Sequence, residues 1–334
     1  MSPMVRRISD RLEIVTALEP ANVATFADDV KLGLLAQPKR LAPKYFYDDL
    51  GSALFEAITR LPEYYLTNAE TQILREYGWE IVRLLRTPFE ILELGSGSAS
   101  KTRLLIEETL RVQAGLRYRP IDISPDALRA SASALVNAYP RLSVTGYAAD
   151  YFTILGSRDL ALTHPVLALL LGSNIGNYEA IQMHRLFVAL ASSLRAGDGL
   201  LIGADLRKDH ATLELAYDDP TGVTAAFNKN LLARINREFG ADFDLRLFDH
   251  VAHYDQARGA VDSFLRARVA QRVHIEKLGF EVDFAAEESI HTESSYKFAI
   301  ADLQSSAAGA GFTLARTWFD RERLFSVNLF LRSA

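Results

Sequence analysis

Between residues 88 and 206, short apolar runs alternate with amphipathic stretches of helical length, and this alternation constrains the fold more than any other feature. The run PVLALLLGS (165–173) is apolar on every residue until its end, as expected of a central parallel strand covered on both faces. The run GLLIGADL (199–206) repeats that character. Strand–helix alternation of this kind predicts a doubly wound α/β sheet, which binds its ligand at the carboxyl ends of its strands.

The same stretch predicts three earlier strands and the helices between them. The expected strands are FEILEL (89–94), RYRPIDI (117–123) and RLSVTGYAAD (141–150). The expected helices are KTRLLIEETLRV (101–112) and SPDALRASASALVNAY (124–139). Ser124 is expected to cap the second helix, with Pro125 in its first turn, where the missing N–H of proline costs nothing.

The flanking segments do not alternate in this way, and we expect them to form a second domain. Residues 1–87 show helical and loop-rich patterns, whereas residues 207–297 begin as helices and become strand-like. The tail from Gly311 onward has the pattern of a closing β-hairpin. We therefore predict an α/β domain from residues 69–206 and 298–334, and a discontinuous substrate-binding domain from residues 1–68 and 207–297.

Composition excludes several classes of function. The chain of 334 residues has a formal net charge of -5 and no Lys/Arg block, so we expect no nucleic-acid partner, because phosphate binding relies on clustered cations. It has no cysteine, which removes disulfides, zinc–cysteine clusters and thiol catalysis. No apolar run reaches membrane-spanning length, and the N-terminal residues lack the apolar core of a signal peptide. We expect a cytoplasmic monomer that binds a small molecule.

The segment ELGSGSASK (93–101) joins the first predicted strand to its helix and predicts a nucleotide-type site. It matches G-x-G-x-x-G at two glycines only, because Ser100 stands at the third position, and such a match is weak by itself. Glu93 precedes the first glycine, and Asp122 and Asp150 end the next two strands. Asp122 can accept hydrogen bonds from both hydroxyls of a ribose, and Asp150 with Tyr151 can bind an adenine base. S-adenosylmethionine (SAM) fits this set, since it has ribose and adenine but no pyrophosphate.

Five longer blocks make the chain similar to a known family. They are KYFYDDLGSALFEAITRLPEYYLTNAE (44–70), LELGSGSASKT (92–102), LLLGSNIGN (169–177), AYDDPTGVTAAFNKN (216–230) and IHTESSYKF (290–298). The sequence resembles the SAM-dependent histidine Nα-methyltransferases, which form hercynine on the way to ergothioneine, and the resemblance covers nearly the whole chain. It implies a Rossmann-like methyltransferase sheet with a discontinuous inserted substrate-binding domain. It also implies SAM as methyl donor and S-adenosylhomocysteine as product.

The resemblance implies which residues hold the amino-acid end of a histidine substrate. Tyr47 and Tyr217 would bind its carboxylate through their hydroxyls. Tyr64 and Asn177 would hold the reacting amine and are the expected catalytic residues. Gly172, at the end of the central strand, would lie beside them.

The resemblance also implies the contacts of the substrate side chain. Phe55 would be an apolar wall, and Glu293 and Ser295 would bind the imidazole ring. One position departs from the family: mycobacterial members carry methionine where this chain has Ser263, which makes that wall of the pocket smaller and more polar. Histidine remains the expected substrate, while a larger aromatic amino acid such as tryptophan stays open as an alternative.

The expected cofactor site lies on the turn after the first strand and on the next two strand ends. Its residues are Glu93, Gly95, Gly97, Lys101, Asp122, Asp150 and Tyr151. Lys101 opens a helix, where the helix dipole disfavours a cation, so its position favours a ligand carboxylate nearby, such as that of the methionine end of SAM.

Other functions fit the sequence less well. A non-catalytic SAM-binding module is disfavoured by the presence of Asn177 and both carboxylate-binding tyrosines. Ser100 disfavours an NAD-dependent dehydrogenase, and the segment GSNIGN stands where a nucleic-acid methyltransferase would carry a D/N-P-P-Y/F motif. His250 and His253 are three residues apart but have no obvious carboxylate companion, so we expect no metal.

Overall fold

A computed structural model describes residues 4–16, 25–157, 159–160 and 162–333 of the chain. The chain divides into two compact units. The first comprises Met1–Pro20, Leu66–Arg207 and Phe298–Ala334, and the second comprises Ala21–Tyr65 and Lys208–Lys297. Within the described ranges, every helix is too short or too polar to cross a membrane.

The described residues contain ten α-helices. They are α1 (Phe26–Leu35), α2 (Asp49–Ile58), α3 (Tyr65–Arg83), α4 (Thr102–Val112), α5 (Pro125–Ala138), α6 (Tyr151–Ile154), α7 (Ala180–Ser193), α8 (His210–Tyr217), α9 (Val223–Phe239) and α10 (Ile300–Ala308).

The same residues contain fourteen β-strands. They are β1 (Met4–Ser9), β2 (Leu12–Thr16), β3 (Glu90–Leu94), β4 (Leu116–Asp122), β5 (Leu142–Ala148), β6 (Val166–Leu170), β7 (Gly199–Asp205), β8 (Phe248–Asp255), β9 (Ala260–Ala267), β10 (Gln271–Ile275), β11 (Phe280–Phe284), β12 (Ser289–Tyr296), β13 (Phe312–Phe319) and β14 (Phe325–Arg332).

Nine strands form a single sheet in the first unit, in the order β1-β2-β5-β4-β3-β6-β7-β14-β13. The neighbours from β2 to β7 run parallel, whereas β14 is antiparallel to both β7 and β13. Every residue of β3, β6 and β7 is buried, as their apolar runs require. The prediction of a doubly wound α/β sheet is confirmed, and the carboxyl ends of β3, β4, β5 and β6 meet at one edge, here called the carboxyl edge.

The helix after β4 begins where its sequence predicts. The Ser124 hydroxyl accepts a hydrogen bond from the Ala127 N–H at 3.3 Å, and Pro125 is the first helical residue. An oxygen cap satisfies one of the N–H groups that a helix start leaves unpaired. The prediction of this helix start is confirmed, and it places the preceding Asp122 at the carboxyl edge.

The N-terminal residues differ from the expectation that residues 1–68 lie together in the second domain. The hairpin β1–β2 extends the large sheet instead, with β2 parallel to β5. Leu12, Ile14 and Val15 of this strand are buried. The place of this strand is set by its pairing with β5, which its own sequence pattern does not show, so it was not predicted.

The second unit consists of helices and two small antiparallel sheets. Helix α2 packs along α9, and the sheets have the orders β12-β9-β8 and β10-β11. The stretch 261–275 has the pattern of one strand-like run but divides into β9 and β10, which belong to different sheets. The division falls at residues 268–270, all of which are exposed.

Candidate active site

The turn after β3 lies at the carboxyl edge of the first unit and has three left-handed residues. Gly95, Gly97 and Ala99 have φ angles of 71°, 48° and 53°. The Gly95 N–H donates to the Ile121 carbonyl at 2.9 Å, which ties the turn to β4. A Cβ atom at Gly95 would lie 2.9 Å from Nδ2 of Asn174, so this position needs glycine for its conformation and for its space.

Asp122 stands at the end of β4, directly beside this turn. Its Oδ2 accepts from the Gly97 N–H at 2.8 Å, and its Oδ1 accepts from the Ser124 N–H at 2.9 Å. Burial raises the pKa of Asp122, while these backbone donors oppose the shift. Each carboxylate oxygen can accept two hydrogen bonds, so Asp122 keeps capacity for ligand hydroxyls.

The end of β5 combines a carboxylate with aromatic rings. Asp150 is exposed and caps α6 by accepting from the Phe152 N–H at 2.8 Å. The Tyr151 ring lies 5.4 Å from that of Phe152 and 6.5 Å from that of Tyr178. Burial raises the pKa of Tyr178, and the negative charge of Asp150 adds to the effect. Asp150 and Tyr151 therefore occupy one aromatic corner of the carboxyl edge.

Glu93 lies beneath the turn rather than on its surface. Its Oε1 accepts from the Thr102 hydroxyl at 2.5 Å, and its Oε2 accepts from the Tyr118 hydroxyl. Burial raises the pKa of Glu93 to about 7, although both hydrogen bonds and the charge of Lys101 act against the increase. The carboxylate thus joins β3, β4 and the first turn of α4 from inside.

Lys101 precedes α4 and pairs with a residue that sequence patterns did not single out. Its ammonium forms an ion pair with the carboxylate of Glu70, which lies on α3 and is 0% exposed. The Gly172 N–H donates to both oxygens of Glu70, at 3.0 and 2.9 Å. A Cβ atom at Gly172 would lie 3.2 Å from Nζ of Lys101. Lys101 and Gly172 therefore meet through Glu70.

The segment after β6 forms a second left-handed turn at the same edge. Gly172 and Ser173 have φ angles of 76° and 57°, and residues Asn174–Asn177 follow as a short 3-10 helix. The Ser173 hydroxyl accepts from the Asp205 N–H at 3.1 Å, which holds the turn against β7. Asn177 is exposed at the end of this helix. Asn174, at the start of the 3-10 helix, thus lies next to Gly95 of the first turn, and Asn177, at its end, is exposed.

Aromatic rings form a continuous cluster in the second unit. The Phe55 ring centroid lies 5.6 Å from that of Tyr47 and 6.2 Å from that of Tyr64, and Tyr64 lies 6.2 Å from Tyr217. The Phe227 ring lies 5.9 Å from Tyr47 and 6.0 Å from Phe55, and its other neighbour is the buried Phe46 ring at 4.7 Å. The four aromatic residues expected on the substrate side are therefore brought together, and Phe227 joins them.

Tyr217, Ser295 and Lys297 form a buried polar cluster next to these rings. The hydroxyl oxygens of Tyr217 and Ser295 are 2.8 Å apart. Nζ of Lys297 donates to both, at 2.7 and 2.9 Å, and lies 4.3 Å from the centroid of the Tyr217 ring. The cluster thus joins the hydroxyl of Tyr217, which is expected to bind the substrate carboxylate, to that of Ser295, which is expected to bind the imidazole ring.

Glu293 lies opposite Ser263 in the pairing of β12 with β9. Ser263 is 4% exposed, and Glu293 is half-buried. Burial raises the pKa of Glu293, while the charges of Lys297 and His291 act in the opposite direction. The Lys297 ammonium, which donates to Tyr217 and Ser295, thus also acts electrostatically on Glu293.

The two histidines considered from their spacing separate in the structure. The His250 side chain is 2% exposed and bonds through Nε2 to the Tyr217 carbonyl at 2.8 Å. Contrary to the expectation, His253 has a carboxylate companion: its Nδ1 lies 3.3 Å from one oxygen of Glu214, and Nδ1 of His210 lies 3.3 Å from the other. Among the described residues, this group of three is the one whose ligand atoms could hold a metal ion. Both imidazoles are exposed and already paired with the glutamate, as in ordinary surface contacts.

Comparison with known proteins gives this arrangement a family. A family model described as "Histidine-specific methyltransferase, SAM-dependent" matches residues 26–332. The chain belongs to this methyltransferase family. The "Histidine N-alpha-methyltransferase" of Mycolicibacterium smegmatis is 42% identical to it over 304 residues, which cover 91% of this chain and 94% of that protein.

Two further relatives agree with this family. The protein of the same name from Mycobacterium tuberculosis is 42% identical over 312 residues, which cover 93% of this chain and 96% of that protein. "Ergothioneine biosynthesis protein 1" of Schizosaccharomyces pombe is 31% identical over 238 residues, which cover 69% of this chain and 31% of that protein. The prediction of a SAM-dependent methyltransferase is confirmed, and SAM is its cofactor.

Sequence reasoning missed three residues of this methyltransferase that the structure places among the expected ones. Glu70 ends the longest family block and lies on the apolar face of α3, where a lone acid signals a buried partner. Tyr178 directly follows the segment GSNIGN, and Lys297 follows Ser295 by two residues. Tyr178 and Lys297 lie within one or two residues of a predicted site residue, and Glu70 ends a family block. Proximity in sequence to predicted site residues could therefore have indicated them.

Proposed function

We propose that this methyltransferase transfers the methyl group of SAM to the α-amino nitrogen of L-histidine and continues to the trimethylated betaine hercynine, in ergothioneine biosynthesis. The match to a histidine-specific family over residues 26–332 carries the proposal. The names of the mycobacterial relatives and of the fungal ergothioneine protein support it.

The substrate carboxylate is assigned to Tyr47 and Tyr217. The Tyr217 hydroxyl lies beside the Lys297 ammonium at 2.7 Å, and this buried positive charge supports binding of an anion there. Phenol hydroxyls are suitable donors because they are uncharged and their rings are held by neighbouring aromatic residues. The side chains therefore keep their orientation at little entropic cost when the substrate binds.

The imidazole ring is assigned to Glu293 and Ser295, with Phe55 as an apolar wall and Ser263 as a small polar one. A neutral imidazole has one donor and one acceptor nitrogen. Glu293 accepts from the ring N–H when it is ionised, and the Ser295 hydroxyl serves the other nitrogen. The two contacts together require a ring with two nitrogen atoms, which histidine has and tryptophan lacks.

The cofactor is assigned to residues of the carboxyl edge. Asp122 accepts from the ribose hydroxyls, since its oxygens have spare acceptor capacity beside Gly97. Asp150 and Tyr151 bind the adenine base, and Lys101 binds the methionine carboxylate. Gly95, Gly97 and Glu93 shape the turn between these contacts, as their left-handed backbone and buried hydrogen bonds indicate.

When bound, SAM supplies a sulfonium-activated methyl group for in-line displacement by an amine lone pair. Tyr64 and Asn177 are assigned to orient that amine, which increases the rate by fixing the direction of attack. The amine must lose its proton before it attacks, and the assigned residues include no strong base. Water is therefore the proposed proton acceptor.

A mass-spectrometric assay of purified enzyme with SAM and a panel of amino acids tests this function. Mono-, di- and trimethylated histidine are the expected products. Methylation of tryptophan in preference to histidine would assign the enzyme to the alternative substrate class. Cofactor binding without any methylated amino acid would instead indicate a non-catalytic SAM-binding module.

Three further assignments complete the proposal. The second unit is the substrate-binding domain, as its aromatic cluster and the Tyr217–Ser295 pair support. The enzyme acts as a monomer, which light scattering of the purified protein measures directly. It works in the cytoplasm on a small molecule, without nucleic-acid or membrane partners.

A further inference from the structure

Glu70 is a buried carboxylate to which the family resemblance assigned no role. It is 0% exposed, and removing a carboxylate from water is unfavourable unless strong partners replace the solvent. Its partners are the Lys101 ammonium and the Gly172 N–H, which donates to both of its oxygens. A Cβ atom at Gly203 would lie 1.8 Å from Oε1 of Glu70, so the carboxylate fits against the bare backbone of β7.

A second buried glutamate in the same unit shows what a purely structural pair looks like. Glu90 is also 0% exposed, accepts from Nε of Arg119 at 2.7 Å, and accepts from the Thr163 and His164 N–H groups at 2.8 and 3.2 Å. It stands at the start of β3, away from the carboxyl edge. Glu70 has the same chemistry, with a cation and backbone donors, but lies where the turns after β3 and β6 meet.

The lysine in the Glu70 pair remains partly open. Its side chain is 20% exposed, whereas that of Arg119 in the other pair is 10% exposed. An ammonium has three donor hydrogens, so Lys101 can bind Glu70 and a ligand carboxylate at the same time. Without its partner, a four-carbon side chain at this edge would lose more rotamer freedom on binding a ligand.

We propose that Glu70 is a positioning residue for the cofactor. It holds the Lys101 ammonium beside Gly172, where the lysine meets the carboxylate of the methionine end of SAM. The same carboxylate fixes the left-handed Gly172–Ser173 turn through the Gly172 N–H. This inference rests on the proposed role of Lys101 in cofactor binding and is independent of which amino acid is methylated.

Glu70→Gln tests this role by calorimetric binding of two ligands in the absence of any amino-acid substrate. S-adenosylhomocysteine carries the amino-acid end, whereas 5′-methylthioadenosine has the same nucleoside and thioether without it. Loss of a charge-assisted contact should weaken S-adenosylhomocysteine binding by roughly tenfold or more. Binding of 5′-methylthioadenosine should change much less, because the lysine that Glu70 positions meets a group that this ligand lacks.

Glu90→Gln is the matched control, because it removes the same charge from an equally buried glutamate. It should leave the ratio of the two affinities unchanged, whatever it does to stability. Lys101→Met should reproduce the selective loss of Glu70→Gln. The double variant Glu70→Gln/Lys101→Met should bind S-adenosylhomocysteine no more weakly than Lys101→Met alone, since Glu70 acts through the lysine.

The outcomes separate the inference from the proposal beneath it. Equal weakening of both ligands by Glu70→Gln would show a general structural role and overturn the inference. If Lys101→Met selectively weakens S-adenosylhomocysteine binding and Glu70→Gln does not, the inference is overturned as well, while the proposed role of Lys101 stands. No selective effect of either variant would overturn both. If Glu70→Gln does not fold, Glu70→Asp keeps the charge but withdraws it by one methylene, and an unchanged affinity ratio in that variant would overturn the inference.

Discussion

At the scale of single residues, the carboxylates of the first unit differ in what their oxygens bind. Glu93 uses both oxygens on hydroxyls inside the protein, and Glu70 uses both on a backbone N–H and a lysine. Asp122 accepts from the Gly97 N–H of the neighbouring turn and from the Ser124 N–H, and Asp150 accepts from the Phe152 N–H; unlike the two glutamates, neither aspartate is fully buried, and both have remaining lone pairs. The two glutamates therefore hold the turns in place, and the two aspartates are available to bind the cofactor.

Asp122→Ala is expected to weaken SAM binding. It removes two charge-assisted hydrogen bonds to ribose, each contributing about 1.5–3 kcal/mol. Calorimetry of SAM binding measures the loss. Asp126→Ala is the control, because this aspartate is exposed on α5 and pairs with Arg129 at 2.6 Å. Equal SAM affinity of wild type and Asp122→Ala would contradict the ribose assignment.

Glu293→Ala is expected to narrow the preference for histidine over tryptophan. The change leaves the imidazole N–H without an acceptor, at a cost of roughly 1–3 kcal/mol, or a ten- to hundredfold loss of kcat/KM for histidine. An indole makes one N–H contact and has more apolar area, so it should lose less, and the small Ser263 wall gives it room. The measurement is kcat/KM for both amino acids in both proteins. If the ratio of kcat/KM for histidine to that for tryptophan is the same in both proteins, Glu293 does not bind the substrate side chain.

At the scale of elements, the site depends on two turns that leave the sheet in left-handed conformations. The turn after β3 needs Gly95 and Gly97, and the turn after β6 needs Gly172. Contacts of Asn174 with Gly95 join the turns, and buried side chains hold each from below. Glu93 is the group beneath the first turn, so its ionisation should affect the stability of this junction.

Stability of the protein should fall with rising pH through ionisation of Glu93. Burial raises its pKa from 4.5 to about 7, so the folded state binds a proton that the unfolded state has already lost. The resulting stability is fully present below pH 4.5 and is lost as pH rises through 7. The upper limit of this contribution to the free energy of unfolding is on the order of 3 kcal/mol. Denaturant unfolding of wild type and Glu93→Gln across this range should show a shallower pH dependence in the variant, and parallel curves would exclude the effect.

At the scale of the whole molecule, the proposed contacts are distributed over both units, since Asn177 of the first unit and Tyr64 of the second are both assigned to the substrate amine. The first unit contains the proposed SAM contacts at its carboxyl edge, and the second contains the aromatic cluster and the Tyr217–Ser295–Lys297 group. The chemistry of transfer depends on the substrate as well as on these residues. Its attacking atom is an amine that is protonated below its own pKa.

The rate of the methyl-transfer step should therefore rise with pH toward the pKa of the histidine amine. The physical reason is that only the neutral amine has the lone pair required for attack, and the assigned residues provide no strong base. Single-turnover measurements isolate this step from product release. A flat profile from mildly acidic to basic pH would show that the enzyme removes the proton by another route.

The sequence by itself determined the parts of this protein that depend on local patterns. Apolar runs of strand length, the Ser124 cap and the turn glycines each act through neighbours a few residues away, so the sheet and its carboxyl edge could be predicted. Long family blocks likewise indicated the cofactor and the class of reaction. Only the tertiary structure decided which side chains meet. Glu70 and Lys101 are 31 residues apart, and Lys297 and Tyr217 are 80 residues apart, and no periodicity connects such positions. The β1–β2 hairpin was missed for the same reason, because its place is set by pairing with β5 and not by its own five-residue pattern.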